Sequence, residues 1–161
     1  MQQVGFRNKE VNVINHTNEV LNVLLVDLFH NILEIEEKSL RDSGSDLSIT
    51  EIHTIDAVGD SDPKTMTEIS RILKVTMGTL TTGVDKLIKK GYLIRKRTEE
   101  DKRIVLVELT EKGVKAKKLH GAFHQEMIDS VISHLDPTEE ELLVQSLQKL
   151  MYFFDDKYEL K

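Results

Sequence analysis

TMTEISRILKVTMGTLTTGVDKLIKKGYLIRKRTEEDKRIVLVEL, residues 65–109, reads as two short helices followed by a basic β-hairpin. Thr65 and Glu68 have the spacing of a capping box, and they open a helix whose apolar positions are Ile69, Ile72 and Leu73. Lys74 and Val75 make the turn, and Thr76 is the N-cap of a second helix that runs to Lys90. Leu80, Val84, Leu87 and Ile88 fall on the inward face of this helix, and Gly91 stops it. Leu93–Arg97 and Ile104–Leu109 alternate apolar with polar residues and are rich in β-branched side chains, so they are expected to pair as strands around the charged loop Thr98–Arg103. This order predicts a winged helix-turn-helix.

Charge is segregated onto the same stretch. Lys64 to Arg103 holds eleven Lys/Arg against five Asp/Glu, a net of +6, while the whole chain is −6 and the remainder therefore −12. Evenly mixed charge would only solubilise the protein. A basic island in an acidic chain suits a polyanion, because neutralising phosphates releases condensed counterions.

The second helix carries the chemistry expected of a reading head. Thr76, Met77, Gly78, Thr79, Thr81 and Thr82 occupy its start, with Lys86 and Lys89 further along. Threonine offers a hydroxyl and a methyl to base edges in the major groove, and the lysines suit phosphates. Five of the six residues Gly78 to Gly83 are Thr or Gly, which a surface helix seldom accepts without a functional reason. At the hairpin tip, an arginine such as Arg103 can enter a narrow minor groove, and Asp101 can shape the loop by pairing with Arg97. The DNA-facing set is thus Thr65, Thr76, Met77, Gly78, Thr79, Thr81, Thr82, Lys86, Lys89, Arg97, Asp101, Lys102 and Arg103.

Long helices flank this unit. Leu21, Leu24, Leu25, Leu28, Ile32 and Ile35 recur at gaps of three and four over Asn18–Leu40. Ser48 and Glu51 box a helix that Gly59 ends, and Pro63 sits in the loop that follows. Thr110 begins another long helix, and Asp136-Pro137-Thr138-Glu139 is a helix start leading to Leu142, Leu143, Leu147, Leu150, Phe153 and Phe154 as the buried face. The flanking helices have more apolar surface than a small winged unit can cover, which predicts an intertwined homodimer with two heads for a palindromic duplex site. The expected organisation is a single domain, 1–161, mainly α with a small β wing: 48–110 as the reading lobe, 10–42 and 111–161 as the helical dimerisation lobe. Residues 1–15 are poorly patterned and suit a disordered arm or an extra dimer contact.

Composition excludes much else. With no cysteine there are no disulfides, thiolate metal sites or cysteine nucleophiles, which fits a reducing cytoplasm. There is no transmembrane-length apolar run, no glycine-rich phosphate loop and no reactive constellation, so neither membrane contact nor enzymatic activity is expected, nor any cofactor. His120 and His124 share a helix face. A third metal ligand, such as His53 or a carboxylate, would have to come from another element, and flanking Leu119 and Phe123 suggest a near-core position, so no metal is expected there.

The helix order, Thr76 to Leu93, the Asp101-Lys102-Arg103 wing and the closing Leu109-Thr110-Glu111-Lys112-Gly113 resemble the MarR family of bacterial transcription regulators over nearly the whole chain. FHNILEIEE (29–37), EIHTIDAVG (51–59), TMGTLTTGVDKLIKKGY (76–92) and LHGAFH (119–124) are similar to members of that family that repress fatty-acid biosynthesis genes. The resemblance implies a homodimeric repressor with long-chain acyl carrier protein as corepressor. It also implies an apolar acyl pocket, placed by position at Leu25, Phe29, Leu33, Ile52, Ile55, Phe123 and Met127. For any one of these, ordinary core is the simpler reading. An acidic carrier needs a basic docking surface, for which Lys38 and Arg41 are candidates, with Lys115, Lys117 and Lys118 as alternatives. Two further readings stay open: a MarR-type regulator with a small aromatic or metal effector, and a winged-helix module that binds protein.

Overall fold

A computed structural model describes residues 3–97 and 104–159, with side chains from residue 16 onward. Its elements run α1 (Gln3–Asp42), α2 (Ile49–Val58), β1 (Lys64–Thr65), α3 (Met66–Leu73), α4 (Met77–Lys89), β2 (Leu93–Arg97), β3 (Val105–Leu109), α5 (Glu111–Ile132) and α6 (Pro137–Lys157). The chain divides into two compact units, Met1–Gly113 and Val114–Lys161.

In the first unit local chemistry sets the helix boundaries as expected. Ser48 and Thr65 are N-caps with complete capping boxes to Glu51 and Glu68, and Thr76 accepts the Thr79 N–H at the start of α4. Each such cap is worth about 1 kcal/mol. Gly59, at φ 70°, ends α2, and Gly91, at φ 81°, follows α4, both in the left-handed region that glycine enters without strain. Leu93 opposite Leu109 and Arg97 opposite Val105 set the hairpin register. The core is Ile52, Ile55, Val58, Ile69, Val84, Leu87, Leu93 and Val107, all fully buried. The described side chains leave no buried polar atom without a hydrogen-bond partner.

Several features differ from the sequence reading. Lys64, expected as loop, and the helix cap Thr65 also pair antiparallel with β3, giving a three-stranded sheet in the order β1-β3-β2. Two residues cannot display an alternation, so this strand has no sequence signature. Residues 3–15, for which the sequence left a disordered arm or an extra dimer contact open, continue α1; Gly5 is the one glycine from 3 to 42 and there is no proline to break the helix. Ile72 on α3, expected inward, is exposed because an eight-residue helix turns only a narrow stripe toward its neighbours.

The second unit is the rest of α5 and α6, joined by a turn in which the Leu135 N–H donates to the Ile132 carbonyl. Asp136 caps α6 with a full box to Glu139. The expected buried face of α6 is not buried: no residue of this helix is, and Leu142, Leu147, Met151 and Phe153 are all exposed. On α1, Leu21, Leu24, Leu25, Leu28 and Phe29 are exposed as well. Among the described residues no helix is long and apolar enough to cross a membrane.

Candidate nucleic-acid interface

α4 is held from beneath and open above. Leu80, Val84 and Leu87 are buried, while Met77, Thr79, Thr81, Thr82, Lys86 and Lys89 are all exposed. Lys74, at φ 53°, takes the left-handed turn that aims α4 away from α3. Thr65, at the N-cap of α3, bonds Glu68 through both its backbone N–H and its hydroxyl, at 2.7 Å each. Glu68 is thereby held below the usual carboxylate range, chiefly by these bonds from Thr65.

The threonine hydroxyls are committed in a way the sequence does not reveal. Thr81 Oγ1 donates to the Met77 carbonyl at 2.8 Å, and Thr82 Oγ1 donates to the Gly78 carbonyl at 3.1 Å. Thr76 and Thr79 share a hydroxyl–hydroxyl bond of 2.9 Å. Thr81 and Thr82 therefore spend their donors on the helix, leaving lone pairs and γ-methyls available to a ligand. Those groups match adenine or cytosine amino groups and thymine methyls better than the acceptor edge of guanine.

The glycines of α4 are not explained by packing. A Cβ at Gly83 would meet nothing within 4 Å, and one at Gly78 would reach only Thr76 Oγ1 at 4.0 Å. Neither glycine has the positive φ that would require it. The fold alone would tolerate alanine at both sites and gain helix propensity of about 1 kcal/mol each. Their presence fits a surface that lets another molecule come close to the backbone.

Basic residues here serve two purposes. Lys86 and Lys89 have no ion-pair partner among the described residues. Arg95 instead bonds Asp85 at 2.5 Å, tying the wing to α4, and Lys96 pairs with Glu108 across the hairpin. Lys90 donates to Glu51 at 2.8 Å and to the Asp46 carbonyl, which locks the end of α4 to the start of α2. Arg97 is exposed at the end of β2. Asp101, Lys102 and Arg103 lie outside the described residues.

The end of α4 joins a second network that sequence spacing did not expose. Tyr92 OH donates to Asp46 Oδ1 at 2.5 Å, and Lys112 Nζ sits 3.9 Å from the centre of the Tyr92 ring. The Tyr92 hydrogen bond, followed by the charges of Lys112 and Lys90, lowers the Asp46 pKa. Burial, then the bond to Asp46, pushes Tyr92 up to about 12. Burial alone would raise Glu51, but hydrogen bonds from Lys90 and Ser48 outweigh it and lower its pKa. Gly113 closes the arrangement: a Cβ there would sit 2.3 Å from the Tyr92 carbonyl oxygen, so α5 can start against α4 only with glycine at this place.

The residues expected to line an acyl pocket are placed differently within each unit. In the first, Ile52 and Ile55 belong to the core at 1% and 0% exposure, Leu33 is half-buried, and Leu25 and Phe29 are exposed on α1, Phe29 at 66%. In the second, Phe123 and Met127 are half-buried on α5. Of the docking candidates, Lys38 is exposed and Arg41 is paired with Glu37 at 2.9 Å. Lys115 and Lys118 are exposed and Lys117 is half-buried.

The MarR family model matches residues 45–104, which are α2 through the wing. The HTH-type transcriptional regulator YkoM of Bacillus subtilis is 30% identical over 116 residues, which cover 71% of this chain and 75% of that protein. The chain belongs to the MarR family of transcriptional regulators. The B. subtilis regulator YhjH is 36% identical over 102 residues, or 63% of this chain, and the match spans 58% of YhjH. The Streptococcus pneumoniae FabT structure in complex with DNA superposes with a TM-score of 0.81 at 39% identity, covering 86% of this chain and 98% of that one. These proteins are regulators and not enzymes, in keeping with the lack of a reactive constellation in the sequence.

Proposed function

We propose that this MarR-family regulator is a homodimeric, DNA-binding repressor of fatty-acid biosynthesis genes, with long-chain acyl carrier protein as its corepressor. The observation that carries DNA reading is the exposed Thr/Gly face of α4, whose glycines no packing requires. The 39% identity with FabT, a protein solved on DNA, supports the same reading. Dimerisation is supported by apolar faces that a single chain leaves in water, on α1 and on α6 taken separately. In this reading residues 48–110 form the reading lobe, and 10–42 with 111–161 form the dimerisation lobe. Thr65, Thr76, Met77, Gly78, Thr79, Thr81, Thr82, Lys86, Lys89, Arg97 and the wing tip Asp101-Lys102-Arg103 face a palindromic duplex.

The acyl chain would enter through the exposed Leu25 and Phe29 side chains rather than through Ile52 or Ile55, which have no surface to offer. Lys38 is the more available docking cation, because Arg41 is already engaged with Glu37.

The test is fluorescence anisotropy with the duplex upstream of the chain's own fatty-acid genes. Tighter binding with long-chain acyl carrier protein, and not with the unacylated carrier, is the expected result. Sequence-specific binding indifferent to the carrier would reject the corepressor and leave the DNA reading intact. Equal affinity for unrelated duplex and heparin would reject DNA reading itself.

A further inference from the structure

α5 carries His120 and His124 one turn apart, on the same stripe of the helix. Their Nε2 atoms lie 3.2 Å apart, with ring planes at 82° and centroids 4.4 Å apart. One of the two Nε2 atoms can donate a proton to the other, the roles depending on the tautomer. The same separation suits a different occupant. Two imidazole nitrogens about 2.0–2.1 Å from one tetrahedral ion are about 3.3 Å apart. An ion can therefore replace the shared proton by rotating the rings, with no movement of the backbone.

We propose that His120 and His124 together provide two nitrogen ligands for a zinc-class divalent cation, with water or carboxylate oxygen completing its coordination. Imidazole favours zinc, nickel and copper over magnesium and calcium. The pair is also preorganised. His120 is only 5% exposed, so its ring has little freedom left to lose on binding. The Phe123 ring stacks against His120 with a 22° interplanar angle and lies 5.3 Å, centroid to centroid, from His124, which gives the nitrogens an apolar neighbour. His124 keeps some exposed surface, which gives an ion a way in. This inference goes beyond the acyl reading and does not depend on it, since neither histidine is among the residues assigned to the acyl chain, the carrier or DNA.

The test uses the full-length protein after chelator treatment. Zinc is titrated in competition with a chromogenic chelator, with magnesium as the control ion, and 15N imidazole spectra are recorded on the wild type. The expected result is one zinc per chain, with the His120 and His124 signals moving together. The half-buried variant His124→Gln should lose more than about tenfold in affinity, and His134→Gln, an exposed histidine beyond the end of α5, should lose nothing. Because His120→Gln alters a buried residue, its loss counts only if its far-UV spectrum is unchanged. Zinc binding that survives in the His120→Gln/His124→Gln double variant, no binding below about 100 μM, or zinc moving other imidazole signals instead would overturn the assignment. DNA binding with and without the acyl carrier is read in the same variants, so a failure of the metal site is distinguishable from a failure of the corepressor.

Discussion

The winged region and α6 both carry apolar residues at helical spacing and end in opposite states. In the winged region Ile55, Ile69, Val84, Leu87 and Val107 reach 0% exposure, and each helix start is capped. α6 is capped just as well by Asp136, yet it buries nothing. Capping and periodicity make a helix; they do not supply a surface to pack it on. The first region buries its apolar residues within its own fold, and α6 leaves its apolar residues exposed. Predictions that break the first should unfold the protein, and predictions that break the second should change its assembly.

The largest effect is expected at Gly113. Gly113→Ala puts a Cβ against the Tyr92 carbonyl and should destabilise the chain by about 3 kcal/mol, read from the urea midpoint. A shift of under about 0.5 kcal/mol would mean that α5 does not start against α4 as described. Next comes Phe153→Asp on α6, exposed in the single chain. In sedimentation the wild type should have twice the 18.5 kDa chain mass at micromolar concentration, and the variant should have the monomer mass with its helical spectrum retained. A monomeric wild type would end the comparison, leaving α6 as an exposed face with no such role.

Smaller effects probe the reading head. Thr81→Ala should weaken operator binding by about 1 kcal/mol, and Thr81→Ser, which keeps the hydroxyl lone pairs but loses the γ-methyl, by part of that. Full affinity in the serine variant would assign the reading to the hydroxyl instead. Lys86→Ala should weaken binding to all duplexes and reduce the slope of log affinity against log salt by about 1. An unchanged slope would remove Lys86 from the phosphate contacts.

The finest effect is in pH. Asp46 and Glu51 have lowered folded pKa values, so their contribution to stability is present above about pH 4–5 and is lost as pH falls through the folded values. Tyr92 is raised, so its contribution is complete below 10.0 and disappears as pH rises toward about 12. Stability should therefore plateau between these limits. In Tyr92→Phe the alkaline loss should flatten and Asp46 should titrate nearer its ordinary 3.8, followed by carboxylate NMR. A variant with the wild-type alkaline profile would show that another group sets that limit.

Much of this architecture can be read along the chain because its signals are local. Ser48–Glu51, Thr65–Glu68, Thr76 and Asp136–Glu139 are pairs three residues apart, or single caps, and each forms where the spacing put it. The outward face of α4 is equally local, since it follows from the helical period. Other features depend on residues far apart in sequence and have no periodic mark. They include β1 on β3, Lys90 on Asp46 and Glu51, and Tyr92 between Asp46 and Lys112. Spacing could place Lys86 and Lys90 on one basic helix, but not separate the open lysine from the one used as a strut.

The amino-acid sequence by itself determined the order of helices and strands, the basic island and the Thr/Gly composition of α4, because each depends on neighbours within one or two turns. Tertiary structure alone decided which cations remain available and why Gly113 must be glycine. Those outcomes turn on distances between segments that propensity and periodicity do not encode.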